Sequence, residues 1–238
     1  MVTDRTALVT GAASGIGAAC SLALLNAGYT VIGWDKNTSG FPDGVSRTAA
    51  VDVANFDEVA LAAKDLPPLA AVVTCAGVSL RASAVDTTAE AWNNLIGINL
   101  TGTFNTAVAC HDQLKEAQGT LITIGSICAT AAFRDRTAYC SSKAAVVMLT
   151  RCLAAEWAPE GIRALTVSPG FTRTPMMQDG LDAGLTKIDA ILGHTPMNRL
   201  IEPEEIADMV VTLIGKEARG MTGSNVLVDA GFDSLTGF

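Results

Sequence analysis

Thr6-Ala7-Leu8-Val9-Thr10-Gly11-Ala12-Ala13-Ser14-Gly15-Ile16-Gly17 opens the ordered pattern of this chain and decides its architecture. Thr6–Thr10 reads as a buried strand, and Gly15–Ala27 as a helix closed by Gly28, with a glycine-rich turn between them. A strand, a glycine turn and a helix make an anion site, because the free N–H groups at the helix start point at a negative ligand. Gly11 suits the positive φ of a tight turn, Gly15 leaves space for a pyrophosphate, and Gly17 lets helix and strand pack closely. Ser14 and Ile16 lie between them on the same turn. The spacing is GxxxGxG rather than the GxGxxG fingerprint of larger dinucleotide-binding domains. Taken alone, such a cluster is equally compatible with a plain tight turn.

Outward from this stretch, short apolar runs alternate with longer helix-like ones. Thr30–Trp34, Ala49–Val51, Ala71–Cys75, Thr120–Gly125, Ala164–Ser168 and Asn225–Val228 read as strands. Asn55–Leu66, Thr88–Leu114, Thr137–Trp157 and Pro203–Gly215 read as helices, several of them stopped or started by proline. Continuously apolar strands separated by helices predict an α/β fold: one Rossmann-type domain over residues 1–238, with a doubly wound parallel sheet of about seven strands covered on both faces. Residues 172–199 break the rhythm, mixing Pro175, Met176, Met177, Leu181, Leu185, Ile188 and Ile191 with glycines. A mobile flap over a ligand and a helical pair packed on the sheet both fit that pattern.

Composition narrows the function classes. The chain has 238 residues, 49% of them apolar and 17% charged, which suits one sizeable core. A net charge of −8 argues against nucleic acid and anionic membrane surfaces as partners. No run of apolar residues is long enough to span a bilayer, and with the first strand starting near Thr6 no signal peptide is expected. The six cysteines form no CxxC pair and only His111 and His194 accompany them, so no metal site of usual zinc spacing can be assembled. Cysteines in apolar stretches point to a reducing compartment and a cytoplasmic protein.

Further along lie residues with chemistry. Asp35 falls at the end of the second strand, eighteen residues after Gly17, where a carboxylate reaches the adenine-ribose hydroxyls of a dinucleotide. A 2′-phosphate would meet that negative charge, so NAD is expected over NADP, with Lys36 positioned to soften the preference. An ordinary turn acid remains the alternative. Tyr139 and Lys143, at i and i+4 on one helix face, bring an ammonium toward a phenol. A free phenol has a pKa of about 10, and a neighbouring cation favours its ionised form, moving it toward the range where general acid–base catalysis works. Ser126, at the end of the Thr120–Gly125 run, is placed to donate to an oxygen that gathers charge.

These elements, taken in order, resemble the short-chain dehydrogenase/reductase family over nearly the whole chain. The resemblance rests on Thr10–Gly17, Asp35, Asp52-Val53, Ala76-Gly77, Asn99, Ser126, Tyr139-xxx-Lys143, Pro169-Gly170 and Thr174. It implies an oxidoreductase that interconverts a secondary alcohol and its ketone, with Tyr139 as acid/base and Ser126 holding the substrate oxygen. It further implies that Lys143 bonds the nicotinamide ribose and that Asn99 holds a water linking Lys143 to solvent. For the cofactor it implies that Asp52 and Val53 meet adenine, that Ala76 and Gly77 let the dinucleotide approach, and that Thr174 helps orient the carboxamide so that the pro-S face reacts. The family's Asn-Asn-Ala-Gly is here Thr74-Cys75-Ala76-Gly77, which predicts altered support between neighbouring strands because a thiol bonds weakly. Relatives of this kind are mostly homotetramers, built through helices at about 99–114 and 137–157 and the last helix and strand.

The substrate pocket is expected from Ser79, Leu80, Ile127, Cys128, Phe133, Phe171 and the flap, a mostly apolar set suited to a small-molecule alcohol or ketone. Arg134, Arg136 and Arg173 are the exceptions. Arg136 stands ten residues after Ser126, resembling the cation of hydroxybutyrate dehydrogenases, which keeps an anionic hydroxy acid open as substrate. Asn198-Arg199-Leu200, Pro203-Glu204-Glu205-Ile206 and Met221-Thr222-Gly223 resemble reductases of 3-oxoacyl chains on acyl carrier protein. Asp35 and the acidic charge of the chain weigh against that reading, and retention of both Tyr139 and Lys143 weighs against a purely nucleotide-sensing role. The apolar tail Gly231–Phe238 is expected to be buried, against the chain itself or a neighbouring subunit.

Overall fold

The computed structural model describes residues 5–185 and 187–234. Seven strands, β1 (Thr6–Thr10), β2 (Thr30–Asp35), β3 (Arg47–Ala50), β4 (Leu69–Thr74), β5 (Thr120–Ile124), β6 (Arg163–Pro169) and β7 (Asn225–Val228), form one sheet in the order β3-β2-β1-β4-β5-β6-β7. Every pairing is parallel. Each parallel neighbour needs a crossover, and the helices that supply it cover both faces.

The period of two along each strand sorts the core. Ala7 and Val9 of β1, Val31, Ala71, Val73, Leu165 and Val167 face one layer, with α1 (Gly15–Asn26) and α9 (Pro203–Ile214) packed on them. Leu8, Ile32, Trp34, Val72 and Leu121 face the other, against α2 (Phe56–Ala63) and α6 (Thr137–Trp157). Complete burial of a side chain such as Leu8 contributes roughly 1.5–3 kcal/mol. Strand β3 departs from the expectation of wholly apolar strands: it lies at the sheet edge, starts two residues earlier than predicted and is largely exposed.

The predicted helix over Thr88–Leu114 is broken in three. Thr88 caps α3 (Ala89–Ile96), a π-helical turn spans Gly97–Thr101, and α4 (Gly102–Ala109) follows. Cys110 then departs from helical geometry before α5 (His111–Ala117). Gly102 is required where it stands, since a Cβ there would lie 2.5 Å from Val53 Cγ2. Other boundaries move by a few residues; α2, for instance, starts at Phe56 because Asn55 caps it through the N–H groups of Asp57 and Glu58.

Residues 172–199 hold two short helices, α7 (Pro175–Asp182) and α8 (Ile188–Gly193), with Thr186 outside the described residues. Among the described residues no helix is long and apolar enough to cross a membrane. Between β1 and β4 the winding of the sheet reverses, and a crevice opens beyond the strands' carboxyl ends, the usual ligand position in such sheets.

Candidate active site

The glycine turn is shaped by backbone approach. Gly11 has φ +66°, and a Cβ on it would fall 2.8 Å from Ala76 N. A Cβ on Gly17 would fall 2.0 Å from Gly11 O, so α1 lies directly on the turn. Ser14 takes the N-cap position of α1 with no side-chain cap, and no acid occupies the first turn. The helix therefore presents free N–H groups to the crevice, which suits an anionic group. Two hydrogen bonds support the turn: Ala12 N donates to Trp34 O at 3.2 Å and Ala13 N to Asp35 Oδ2 at 3.0 Å.

Asp35 ends β2 and also accepts from Asn37 N at 2.9 Å. Lys36, left open as a charge beside the ribose position, pairs instead with Asp52 at 2.9 Å. That ammonium holds the Asp52 carboxyl below its ordinary value. The support lost with the family's second asparagine is supplied from elsewhere: Thr10 Oγ1 accepts from Ala76 N at 3.2 Å, while Cys75 N donates to Thr10 O at 3.2 Å. The Cys75 thiol meets the buried Cys20.

Around the chemical end, Ser126 starts a short turn in which its Oγ accepts from Cys128 N at 3.1 Å. Tyr139 sits in the first turn of α6 and Lys143 one turn on. The Lys143 ammonium donates to Ile124 O at 2.8 Å, tying α6 to the end of β5, and stands 5.8 Å from the Tyr139 ring centroid. Burial pulls Lys143 down to about 8. Burial also pushes the Tyr139 phenol up to about 12, and the Cys128 thiol adds to this, against the opposing pulls of the Ser126 hydroxyl and Arg136. This corrects the expectation of an acidified phenol in the protein alone: the cost of removing the phenolate from water exceeds the attraction of a lysine turned toward a carbonyl.

Asn99 lies within the π-helical turn, 1% exposed. Its Oδ1 accepts from Val78 N at 2.8 Å, and its Nδ2 donates to Val78 O at 3.0 Å and Ser142 Oγ at 3.1 Å. The side chain is committed to clamping the loop after β4 against α6. A π-helical turn of this kind recurs at functional sites.

Every residue expected to act in catalysis, to bind the cofactor or to touch substrate, Asn99 excepted, lines a single cavity of about 1400 Å³, whereas not all the expected pocket walls do. That exceeds the roughly 300–1,000 Å³ of an ordinary small-molecule pocket and leaves room for a dinucleotide beside a second ligand. Gly11, Ser14, Gly15, Ile16, Gly17, Asp35, Asp52, Val53, Ala76, Gly77 and Thr174 belong to its lining, together with Ser126, Cys128, Arg136, Tyr139 and Lys143. Two predicted residues do not line it: Leu80, and Arg173, which pairs with Glu202 at 3.0 Å. Arg81 and Phe232 join the lining without having been expected there, and His194 joins it from the 172–199 segment. Phe232 lies in a tail whose apolar character was legible; the wall it joins was not. Residues 231–233 are half-buried and Ser234 is exposed, while residues 235–238 fall outside the described residues.

Comparison with known proteins gives the same picture. The profile of a family described as enoyl-(acyl carrier protein) reductase matches residues 11–233. The chain is 34% identical to the D-threitol dehydrogenase of Mycolicibacterium smegmatis over 96% of its own length and 92% of the relative's. It is 35% identical to the galactitol 2-dehydrogenase of Rhizobium johnstonii, covering 95% and 94% of the two chains. Among solved structures, the ligand-free aldohexose dehydrogenase of Thermoplasma acidophilum superposes with a TM-score of 0.92 at 26% identity, over 99% and 96%. ElxO with NADP bound gives 0.89 at 26% identity, over 98% and 100%.

Proposed function

Because the chain belongs to the short-chain dehydrogenase/reductase family, we propose that this oxidoreductase uses NAD to interconvert a small secondary alcohol and its ketone, with Tyr139 as the acid/base. The observation that carries the reading is the one continuous lining shared by the glycine turn and the Ser126, Tyr139 and Lys143 side chains. A bound oxidised nicotinamide would supply the hydride acceptor and a positive charge near the phenol. In oxidation, Ser126 Oγ holds the substrate oxygen, and Tyr139 Oη takes its proton as the carbon loses hydride. Lys143, anchored on Ile124 O, keeps an ammonium beside that phenol and reaches the ribose position. Asn99 acts as a positioning residue by fixing Val78 and Ser142 around it.

The free N–H groups at the start of α1 suit the pyrophosphate, with Gly15 and Thr174 bounding its place: a Cβ on Gly15 would stand 3.6 Å from Thr174 Cγ2. Asp52 and Val53 serve the adenine side, and Ala76 and Gly77 leave the chain thin enough for approach. The 172–199 segment is assigned as a flap on the substrate end. The sinking result is plain: purified protein that reduces NAD with none of a panel of secondary alcohols, polyols and hydroxy acids.

Cofactor choice rests on Asp35. A carboxylate facing a 2′-phosphate costs several kcal/mol, so Asp35→Asn is expected to raise kcat/KM for NADP on the order of 100-fold, because the amide keeps an acceptor for Ala13 N. Wild-type protein that prefers NADP would refute the role given to Asp35.

An anionic hydroxy acid is the second reading, and Arg136 favours it. Its guanidinium stands 5.8 Å from the Tyr139 ring centroid and donates to Ser79 Oγ at 2.5 Å, so it is turned toward the site and not toward Asp135. Arg136→Leu is then expected to cut kcat/KM for hydroxy acids by about 100-fold, the worth of a lost charged hydrogen bond, while sparing neutral alcohols. An equal effect on both classes would rule this reading out. A 3-oxoacyl chain on acyl carrier protein is disfavoured by the net charge of −8.

A homotetramer is supported by Trp92, Phe104, Val108 and Met148, which leave apolar side chains exposed on α3, α4 and α6. The reducing cytoplasm suits six cysteines of which Cys20 and Cys110 serve as buried core side chains.

A further inference from the structure

We propose that Phe232, delivered by the turn after β7, determines substrate specificity by completing an aromatic wall that selects an apolar substituent on the carbinol carbon; this rests on the secondary-alcohol reading above. Three segments distant in sequence bring one ring each. Phe133 follows β5, Phe171 follows β6, and Phe232 belongs to the turn Phe232–Ser234. Phe232 stacks on Phe133 with centroids 5.9 Å apart and planes at 28°, and meets Phe171 edge-on at 5.2 Å. It also meets His194, from the end of the 172–199 segment, at 4.6 Å. All four side chains line the cavity. Phe232 is the ring that touches the other three.

The turn is built to hold this ring. The Asp229 carboxylate accepts from Gly231 N at 2.9 Å and Asp233 N at 2.8 Å. Thr130 Oγ1 donates to Asp233 Oδ1 at 2.9 Å, fastening the turn to the loop between Ser126 and Tyr139. Met197 N donates to Ala230 O at 3.2 Å, fastening it to the 172–199 segment as well. The three phenylalanine rings offer edge and face contacts but no acceptor for a row of hydroxyls, and His194 alone among these four side chains can hydrogen-bond. Each hydroxyl buried against the rings without a partner costs roughly 1–3 kcal/mol, whereas each buried methylene gains about 0.8 kcal/mol. The wall therefore takes an alkyl or ring face, and a hydroxyl-dense chain is rejected.

The test compares wild type, Phe232→Ala and Thr130→Val on a series of 2-alkanols of increasing length and on threitol, with NAD saturating. Wild type is expected to gain kcat/KM with chain length and to prefer the longer 2-alkanols to threitol. Phe232→Ala is expected to lose about tenfold in kcat/KM on the longer alcohols, mainly through KM, with the NAD dissociation constant unchanged. Thr130→Val, which frees Asp233 without touching the wall, should shift specificity the same way by less, and it stands in if Phe232→Ala does not fold. A wild type that prefers threitol, or losses equal across all alcohols, would overturn the proposal. A wild type inactive on every alcohol would overturn the proposed function, and this inference with it.

Discussion

Tyr139→Phe is expected to lower turnover about a thousandfold while leaving NAD affinity within about twofold, because a positioned acid/base group contributes 10²–10⁴ to rate. Phenylalanine keeps the ring that Arg136 and Lys143 face and deletes only the hydroxyl. Normal turnover by this variant would remove the proposed acid/base. The phenol must shed its proton before it can accept one from an alcohol, and burial holds it up at about 12 in the protein alone. Oxidation should therefore speed up as pH rises, and reduction of the ketone as it falls. A flat pH profile for oxidation would count against Tyr139 as the proton acceptor.

The same groups set part of the alkaline stability. Tyr139 has an ordinary value of 10.0 and is raised to about 12, so the native state binds more protons across that window and stability falls as pH climbs through it. Lys143 runs the other way. Its value drops from 10.5 to about 8, the unfolded chain binds more protons between those limits, and stability rises with pH there. In Tyr139→Phe the loss above pH 10 should shrink, which urea midpoints at the two ends of the tyrosine window would reveal.

Gly17→Ala is the second change with a large expected effect. Its Cβ would stand 2.0 Å from Gly11 O and 2.6 Å from Gly11 C, both backbone atoms that cannot swing aside. Relief requires α1 to lift from the turn, an overpacking cost of about 3 kcal/mol. For a chain of this size that corresponds to a fall in Tm of roughly 6–12 °C. Lifting α1 also spoils the N–H groups offered to the pyrophosphate, so NAD binding should weaken together with stability. A variant with unchanged Tm and unchanged NAD affinity would show that the helix does not rest on the turn as described.

The parts of this protein legible from residue order share one property: they depend on neighbours a few positions away. Glycine spacing after an apolar strand, the i and i+4 placement of Tyr139 and Lys143, and the alternation of apolar runs with helices are all local, and they were enough for the seven-stranded parallel fold. The helix from Thr137 to Trp157 was readable to the residue for the same reason. The break at Gly97–Thr101 was not, because it depends on Gly102 meeting Val53 and Asn99 reaching Val78.

Burial and encounter between remote segments belong to the folded molecule alone. Sequence placed a cation one turn from a phenol and argued for an acidified tyrosine; tertiary burial reversed the direction, since desolvation depends on everything packed around the ring and not on its nearest charge. Lys36 found Asp52, Arg173 found Glu202, and Phe232 closed on Phe133, Phe171 and His194. None of these partners lies within a helical turn or a strand repeat of the other, so no periodicity could announce them. The chain's order determined which groups exist and on which elements they ride; packing decided how acidic they are and what they enclose.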